Sequence, residues 1–418
     1  MKMNIRHIIP ALLAAAVATL TARAQSDTAP HVLTLEQCIG IAIADNPGLR
    51  AAKLSVEKAH DMQGASLDLP PTAITLSQDA TGGGGPENGI NFSQDFEFPT
   101  VYVAKNKALK AETELERIKS QAASNDLVRD VTSTYHSMLY TRQIVKIREM
   151  QDSVYSAFLS YAAARYAAGE TSRLEEINAS QMLSQNRIEL ANARDEYKAR
   201  QADMQRLLNT DSPIVPADST LAVMDAPALG IDFSSTPQGL LAAGEVAVNQ
   251  RNLTVARQAF LPGFTVGATT QAVISGFNPY GVDRQRFDKG NFMSFEVGIT
   301  VPLFFGAQRA KAKAARRDVE IARANQLQTQ LDTDNTLKSY LAQLATARQT
   351  LDYYIAEGLP QADEISRLSS ASYRLGEIGY AEYIQNIETS ARIRTNYAAA
   401  VNTYNQTVIS INHLQGTL

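Results

Sequence analysis

The chain has 418 residues, 39 Lys and Arg against 43 Asp and Glu, a formal net charge of -4, one cysteine and no tryptophan. This mildly acidic balance argues against a nucleic-acid partner and offers no basic surface for anionic lipid. The lone Cys38 excludes an intramolecular disulfide.

The first residues read as an export signal. Lys2 and Arg6 precede an apolar run of about 13 residues (8–20), too short to span a bilayer as a helix. Ala22-Arg23-Ala24 is a small-x-small cleavage site. Residues 1–24 are therefore read as a signal peptide, with Gln25 as the first mature residue. Loss of Lys2, Arg6 and Arg23 moves the formal charge to about -7. Cys38 lies beyond the cleavage site, so it is not a lipid-anchored first residue. It reads as a small apolar residue on a helix face. No later stretch holds about 18 consecutive apolar residues, so no transmembrane helix is expected. An exported chain without one is periplasmic, secreted, or a β-barrel in an outer membrane.

The first structural repeat is read at 25–235. Residues 25–33 look like a loose leader. In LTLEQCIGIAIADNP (33–47), Thr34 and Gln37 have capping-box spacing, and Leu35, Ile39, Ala42 and Ile43 recur at helical spacing. Asn46-Pro47 stops that helix, and a second, 48–68, ends at Leu69-Pro70-Pro71. Two strands follow within 73–98, around the turn GGGGPENG (82–89). In the first, Ile74 and Leu76 oppose Ala73, Thr75 and Ser77. In the second, Ile90, Phe92, Phe96 and Phe98 oppose Asn91, Ser93, Asp95 and Glu97, with Gln94 breaking the apolar row. Such alternation fits a strand between lipid and a wet interior. A half-buried strand in a soluble sandwich reads the same.

A long helix then runs over 100–168 with no Gly or Pro, about 69 residues and roughly 100 Å. Val128, Val131, Tyr135 and Met138, then Val154, Phe158 and Tyr161, alternate by three and four as in a coiled-coil seam. Gly169 ends it. The return helix, 172–208, carries Leu183, Leu190, Tyr197 and Met204 at intervals of seven. Pro213, Pro216 and Pro227 mark an irregular linker to 235.

The same order returns in a second repeat, 236–418. A helix ends at Leu261-Pro262. Two strands lie within 263–303, separated by the polar loop 275–290. In the latter strand Phe295, Val297, Ile299 and Val301 oppose Ser294, Glu296, Gly298 and Thr300. A long kinked helix, 305–375, and a return helix, 380–414, complete the repeat. Ser390, Tyr397, Tyr404 and Ile411 restate the row of sevens. Pro302 to Gly376 is longer than Pro99 to Gly169 by about four residues, one helical turn, and Gly358-Leu359-Pro360 is the place for them. Four strands are too few to close a barrel, and an open sheet with an aromatic face is aggregation-prone at its edges. Several copies are therefore expected to share one barrel and one tube.

The pieces LTLEQCIGIAIADNPGLRAA, FLPGFTVGA, GITVPLFFGAQRAKAKAA, RYAAGETSRLEEINASQ and SYRLGEIGYAEYIQNIE, in this order, resemble the TolC-type outer-membrane efflux ducts over essentially the whole mature chain. FSQDFEF followed by Pro-Thr-Val-Tyr is most similar to the heavy-metal, CzcC/CusC-like branch. The resemblance implies an α+β fold: a TolC-like outer-membrane β-barrel, four strands per subunit and twelve in a homotrimer, above a coiled-coil periplasmic tunnel. It implies a passive exit duct in a tripartite system for small solutes, heavy-metal cations among them. Its partners would be a periplasmic adaptor (membrane fusion protein), an inner-membrane pump of the RND type and outer-membrane lipid. Two alternatives stay open: the duct of a type I protein secretion system, and an exported coiled-coil structural or adhesive protein.

The resemblance also places site residues. Gly169 and Gly376 become the hairpin tips that meet the adaptor, with Ala168, Glu170, Leu375 and Glu377 beside them. The periplasmic gate falls on Tyr373 and Glu175 as a latch and on Glu382 as an acidic ring. The second acidic position is Gln385 and the latch arginine is Ile378, both departures from the family pattern. Strand alternation alone assigns Asp95, Glu97 and Glu296 to the barrel lumen. Phe92, Phe96, Phe98, Phe292 and Phe295 become candidates for the lipid face. His31, His60, His136 and His413 are scattered, and no GxSxG, HExxH or Walker-type loop occurs. No catalytic residue, cofactor or metal ligand is assigned, so the energy for transport must come from a partner.

Overall fold

The computed structural model describes residues 30–79, 87–228, 230, 232–271 and 292–417. The signal peptide expected at 1–24, most of the first hairpin turn, the loop 275–290 and the side chain of Phe292 lie outside the described residues. The chain forms two compact units, one from 1–50, 122–232 and 333–418, the other from 51–121 and 233–332. Each draws on both halves of the sequence, so the units cut across the repeats expected at 25–235 and 236–418.

The first unit begins with β1 (His31–Leu33), which the sequence reading took for a loose leader. It pairs in parallel with β4 (Ile214–Pro216), inside the segment taken for an irregular linker. Helix α1 (Leu35–Asp45) follows. Thr34 Oγ1 accepts from the Gln37 amide and Gln37 Oε1 accepts from the Thr34 amide, which closes the capping box. Thr34→Ala should cost about 1 kcal/mol, readable as a lower thermal midpoint, with no change if another group caps the helix. Cys38 and Ala42 on α1 are fully buried, against Val131, Tyr135 and Met138 of α3 (Pro99–Ala167) and Met204 of α4 (Arg173–Leu208). Burial pushes the Cys38 thiol up to about 11, so it packs as an apolar group.

Helix α6 (Gly306–Tyr353) passes through one π-helical stretch, Tyr354–Gly358, into α7 (Leu359–Leu375). Pro360 in the first turn of α7 has no N–H to give, and the wider turn just before it is the local answer. Helix α8 (Tyr380–Gln415) then buries Ser390, Tyr404 and Ile411 of the row of sevens, with Tyr397 packed beside them.

In the second unit, α2 (Pro47–Asp61) gives way to a 3-10 stretch, Met62–Leu67, rather than continuing as the single helix expected to 68. Gln63 Nε2 donates to Thr113 Oγ1 at 2.8 Å and so fastens that stretch to α3. Helix α5 (Pro237–Gln258) is capped by Thr236, whose Oγ1 accepts from the Gly239 amide. Strands β2 (Ala73–Asp79), β3 (Glu87–Phe96), β5 (Gly263–Gln271) and β6 (Phe292–Thr300) make one antiparallel sheet in the order β2-β3-β5-β6. The two hairpins join through β3 and β5, with Phe92 opposite Ala268 and Phe96 opposite Phe264. Among the described residues neither β2 nor β6 pairs on its outer edge. No helix among the described residues is long and apolar enough to cross a membrane.

Candidate functional site

Directly opposed residues of an antiparallel sheet share a face, so the register sorts the side chains. One face carries Ile74, Leu76, Phe92, Val266, Phe295, Val297 and Ile299. These are open to solvent in the single chain, Phe295 at 77% and Val297 at 79%. The other face carries Asn91, Ser93, Asp95, Thr265, Thr269, Ser294 and Glu296. Thr265 Oγ1 donates to Asp95 Oδ1 at 2.6 Å, and Thr269 bonds Asn91 at 3.1 Å. Asp95 and Glu296 thus lie on one polar surface. Glu97 does not belong to it: β3 ends at Phe96, because Pro99 already opens α3. Glu97 instead pairs with Lys105 of α3 at 2.5 Å. Phe98 is likewise off the strand, stacked on Phe264 at 5.9 Å.

In the first unit, two helical hairpins end in the same turn. Gly169 (φ 75°) and Gly376 (φ 74°) take the left-handed conformation that a side chain disfavours. Their amides and those of Glu170 and Glu377 return to the last carbonyls of α3 and α7: Gly169 to Tyr166, Glu170 to Arg165, Gly376 to Tyr373, Glu377 to Ser372. Ala168, Glu170, Leu375 and Glu377 flank the glycines and are exposed, Leu375 at 73%.

Glu175 sits in the first turn of α4, where the helix dipole favours an anion. Arg165 Nη1 lies 3.6 Å from its Oε1, and Thr171 Oγ1 donates to Oε2. Tyr373, near the end of α7, stacks on Tyr383 of α8 with centroids 4.5 Å apart. Among the described residues its buried hydroxyl has no hydrogen-bond partner, and neither has Glu175 Oε1. Burial, with Tyr161 and the Glu175 carboxylate nearby, pushes the Tyr373 phenol up to about 12. Glu382 is exposed in the first turn of α8, and Gln385 is exposed one turn on. Gln385 lines a groove of about 740 Å³ between α3, α4 and α8. Glu388 lines the same groove and returns a carboxylate to the stretch where Gln385 lacks one. Arg165 is the cation beside Glu175. The resemblance places the latch cation at 378 instead, where Ile378 is half-buried.

The model of the family described as outer membrane efflux protein matches residues 38–210 and 238–417. The chain belongs to that family. The cobalt-zinc-cadmium resistance protein CzcC of Cupriavidus metallidurans is 21% identical over 391 residues, spanning 92% of this chain and 90% of the relative. A membrane protein of Pseudomonas aeruginosa has a similar crystal structure, with a TM-score of 0.77 at 17% identity over 94% of this chain and 98% of that one. The channel-forming CusC aligns with a TM-score of 0.73 at 17% identity over 93% and 94%. The fold is therefore that of the TolC-like outer membrane channels. As an outer membrane efflux protein, the chain resides in the outer membrane and serves transport, not catalysis.

Proposed function

We propose that this protein is the passive, homotrimeric exit duct of a tripartite efflux system, fed by an inner-membrane pump of the RND type through a periplasmic adaptor held at Gly169 and Gly376. The observation that carries this reading is the four-stranded sheet with two edges unpaired among the described residues and one exposed apolar face. An open sheet of that kind is stable only when its edges meet other strands and its apolar face meets lipid. Three copies would put twelve strands in one closed barrel, lipid outside and the Asp95 and Glu296 surface inside. Likeness to a cobalt-zinc-cadmium resistance protein favours divalent cations as cargo. The adaptor would meet the exposed residues Ala168, Glu170, Leu375 and Glu377.

The protein is expected to fractionate with the outer membrane and to migrate as a heat-modifiable trimer. A water-soluble monomer would end the duct reading. Deleting the gene should sensitise the host to zinc, cobalt or cadmium, and unchanged tolerance would remove these ions as cargo. At the mouth, three copies of Glu382 would concentrate cations. Glu382→Gln should weaken block of single-channel current by multivalent cations about tenfold. Unchanged block would take Glu382 out of the mouth.

A further inference from the structure

Every ion pair at the two hairpin ends closes within its own hairpin. Arg165 holds Glu170 and Glu175, both on the α3–α4 side. Arg394 holds Asp363, and Arg367 holds Glu364, both on the α7–α8 side. Among the described residues no ion pair joins the two hairpins there. Rings do. Phe158 of α3 stacks on Tyr380 of α8 with centroids 3.4 Å apart and planes at 7°. Tyr161 of α3 meets Tyr373 of α7 edge-on, 5.8 Å apart at 77°. The Tyr380 hydroxyl donates to Met182 Sδ of α4 at 3.4 Å. Phe158 is 4% exposed and sits in one cluster with Tyr155, Leu183 and Ile384.

We infer that ring contacts, Phe158 stacked on Tyr380 and Tyr161 edge-on to Tyr373, hold the second hairpin of each subunit against the first, and that Arg165 confines Glu175 to its own hairpin. This rests on the reading of the tips as the gate. Its physical content is a different kind of closure. Exposed ion pairs weaken as salt screens them. The Phe158 ring is buried and, like the tyrosine rings it belongs with, carries no net charge, so salt leaves these contacts intact. Among the described residues the Tyr373 hydroxyl has no hydrogen-bond partner, whereas its ring meets both Tyr161 and Tyr383. Arg165 acts as a positioning residue: its guanidinium lies 5.7 Å from the Tyr161 ring centroid and beside Glu175, which fixes the ring and keeps the carboxylate from reaching across.

The test uses the purified full-length protein in planar bilayers, with heat-modifiable migration as the check on assembly. Phe158→Ala combined with Tyr380→Ala should raise the open fraction roughly two- to tenfold, the worth of one lost ring pair. Tyr373→Phe should leave the open fraction unchanged. Raising salt from about 0.1 M to about 1 M should scale the wild-type current with bulk conductivity alone. An ion-pair or hydrogen-bond latch gives the opposite pattern: Tyr373→Phe or high salt opens the wild-type channel, and that result overturns the inference. A conducting wild type whose assembled double variant opens no further sinks the stacking alone. If neither the wild type nor the assembled double variant carries current, the duct reading falls first and the stacking with it. If the double variant fails to assemble, Tyr373→Phe and the salt series still decide.

Discussion

Val297→Arg should empty the outer membrane of this protein. Val297 stands mid-strand on β6, 79% exposed, opposite Val266, with Phe295 and Ile299 on the same face. Arginine on the lipid face of a barrel costs roughly 2–4 kcal/mol near the bilayer midplane. Three copies would bring about 6–12 kcal/mol to one trimer, the size of a whole protein's stability. The heat-modifiable oligomer in the outer-membrane fraction should fall at least about tenfold. Glu296→Gln, one residue earlier and on the opposite face, should leave it unchanged, because a polar lumen accepts either side chain. Normal levels of assembled Val297→Arg protein would show that this face does not meet lipid, and the barrel would lose its outer wall.

That contrast between neighbours was legible in the sequence, because the period of two belongs to the strand itself. Ile90 and Phe92 against Asn91, Ser93 and Asp95 needed no partner to be read. Pairing is different. Nothing local says that Phe92 lies opposite Ala268 or that β3 joins β5. That register is set by burial across the whole sheet. Glu97 and Phe98 continue the alternation in letters but not in space. The strand has ended there, just before α3, and Glu97 answers Lys105. Strands β1 and β4 escaped for a related reason. Each has three residues, too few to show a period, and they pair across most of the first half of the chain.

The tips divide in the same way. Gly169 and Gly376 could be read as turn residues because a helix that turns back sharply often ends in a residue at positive φ. The family resemblance assigns Tyr373 and Glu175 to the latch, and the fold puts both beside the tips. Arg165 could not be placed so. The family pattern looked for a cation at Ile378, and only the folded hairpin shows a guanidinium reaching Glu175 from the helix before the turn. The ring pairs were equally hidden. Phe158 reads as part of a coiled-coil seam and is buried, but its partner Tyr380 comes from the far end of the chain.

Asn405→Leu should be the most damaging polar substitution in the helical unit, lowering stability by roughly 2–5 kcal/mol. Asn405 is fully buried. Its Nδ2 donates to the Ala222 carbonyl at 2.8 Å and stands 3.3 Å from His136 Nδ1. Its Oδ1 accepts from the Met224 amide at 2.9 Å. Burial holds His136 below the usual imidazole value, so near neutral pH the ring is uncharged and Nδ1 is free to accept. One amide thus fixes a segment with no regular structure of its own. Leu221, Val223 and Met224 pack beside it against Leu351, Tyr404 and Val408. Leucine has nearly the right volume but leaves the Met224 N–H and the Ala222 carbonyl buried and unpaired, each costing about 1–3 kcal/mol. The segment should then detach before the helices separate. The variant is expected to melt at lower temperature and to be cut by protease near 221–224 while the wild type resists. Wild-type melting with wild-type resistance would mean that the apolar contacts of Leu221 and Met224 hold the segment unaided.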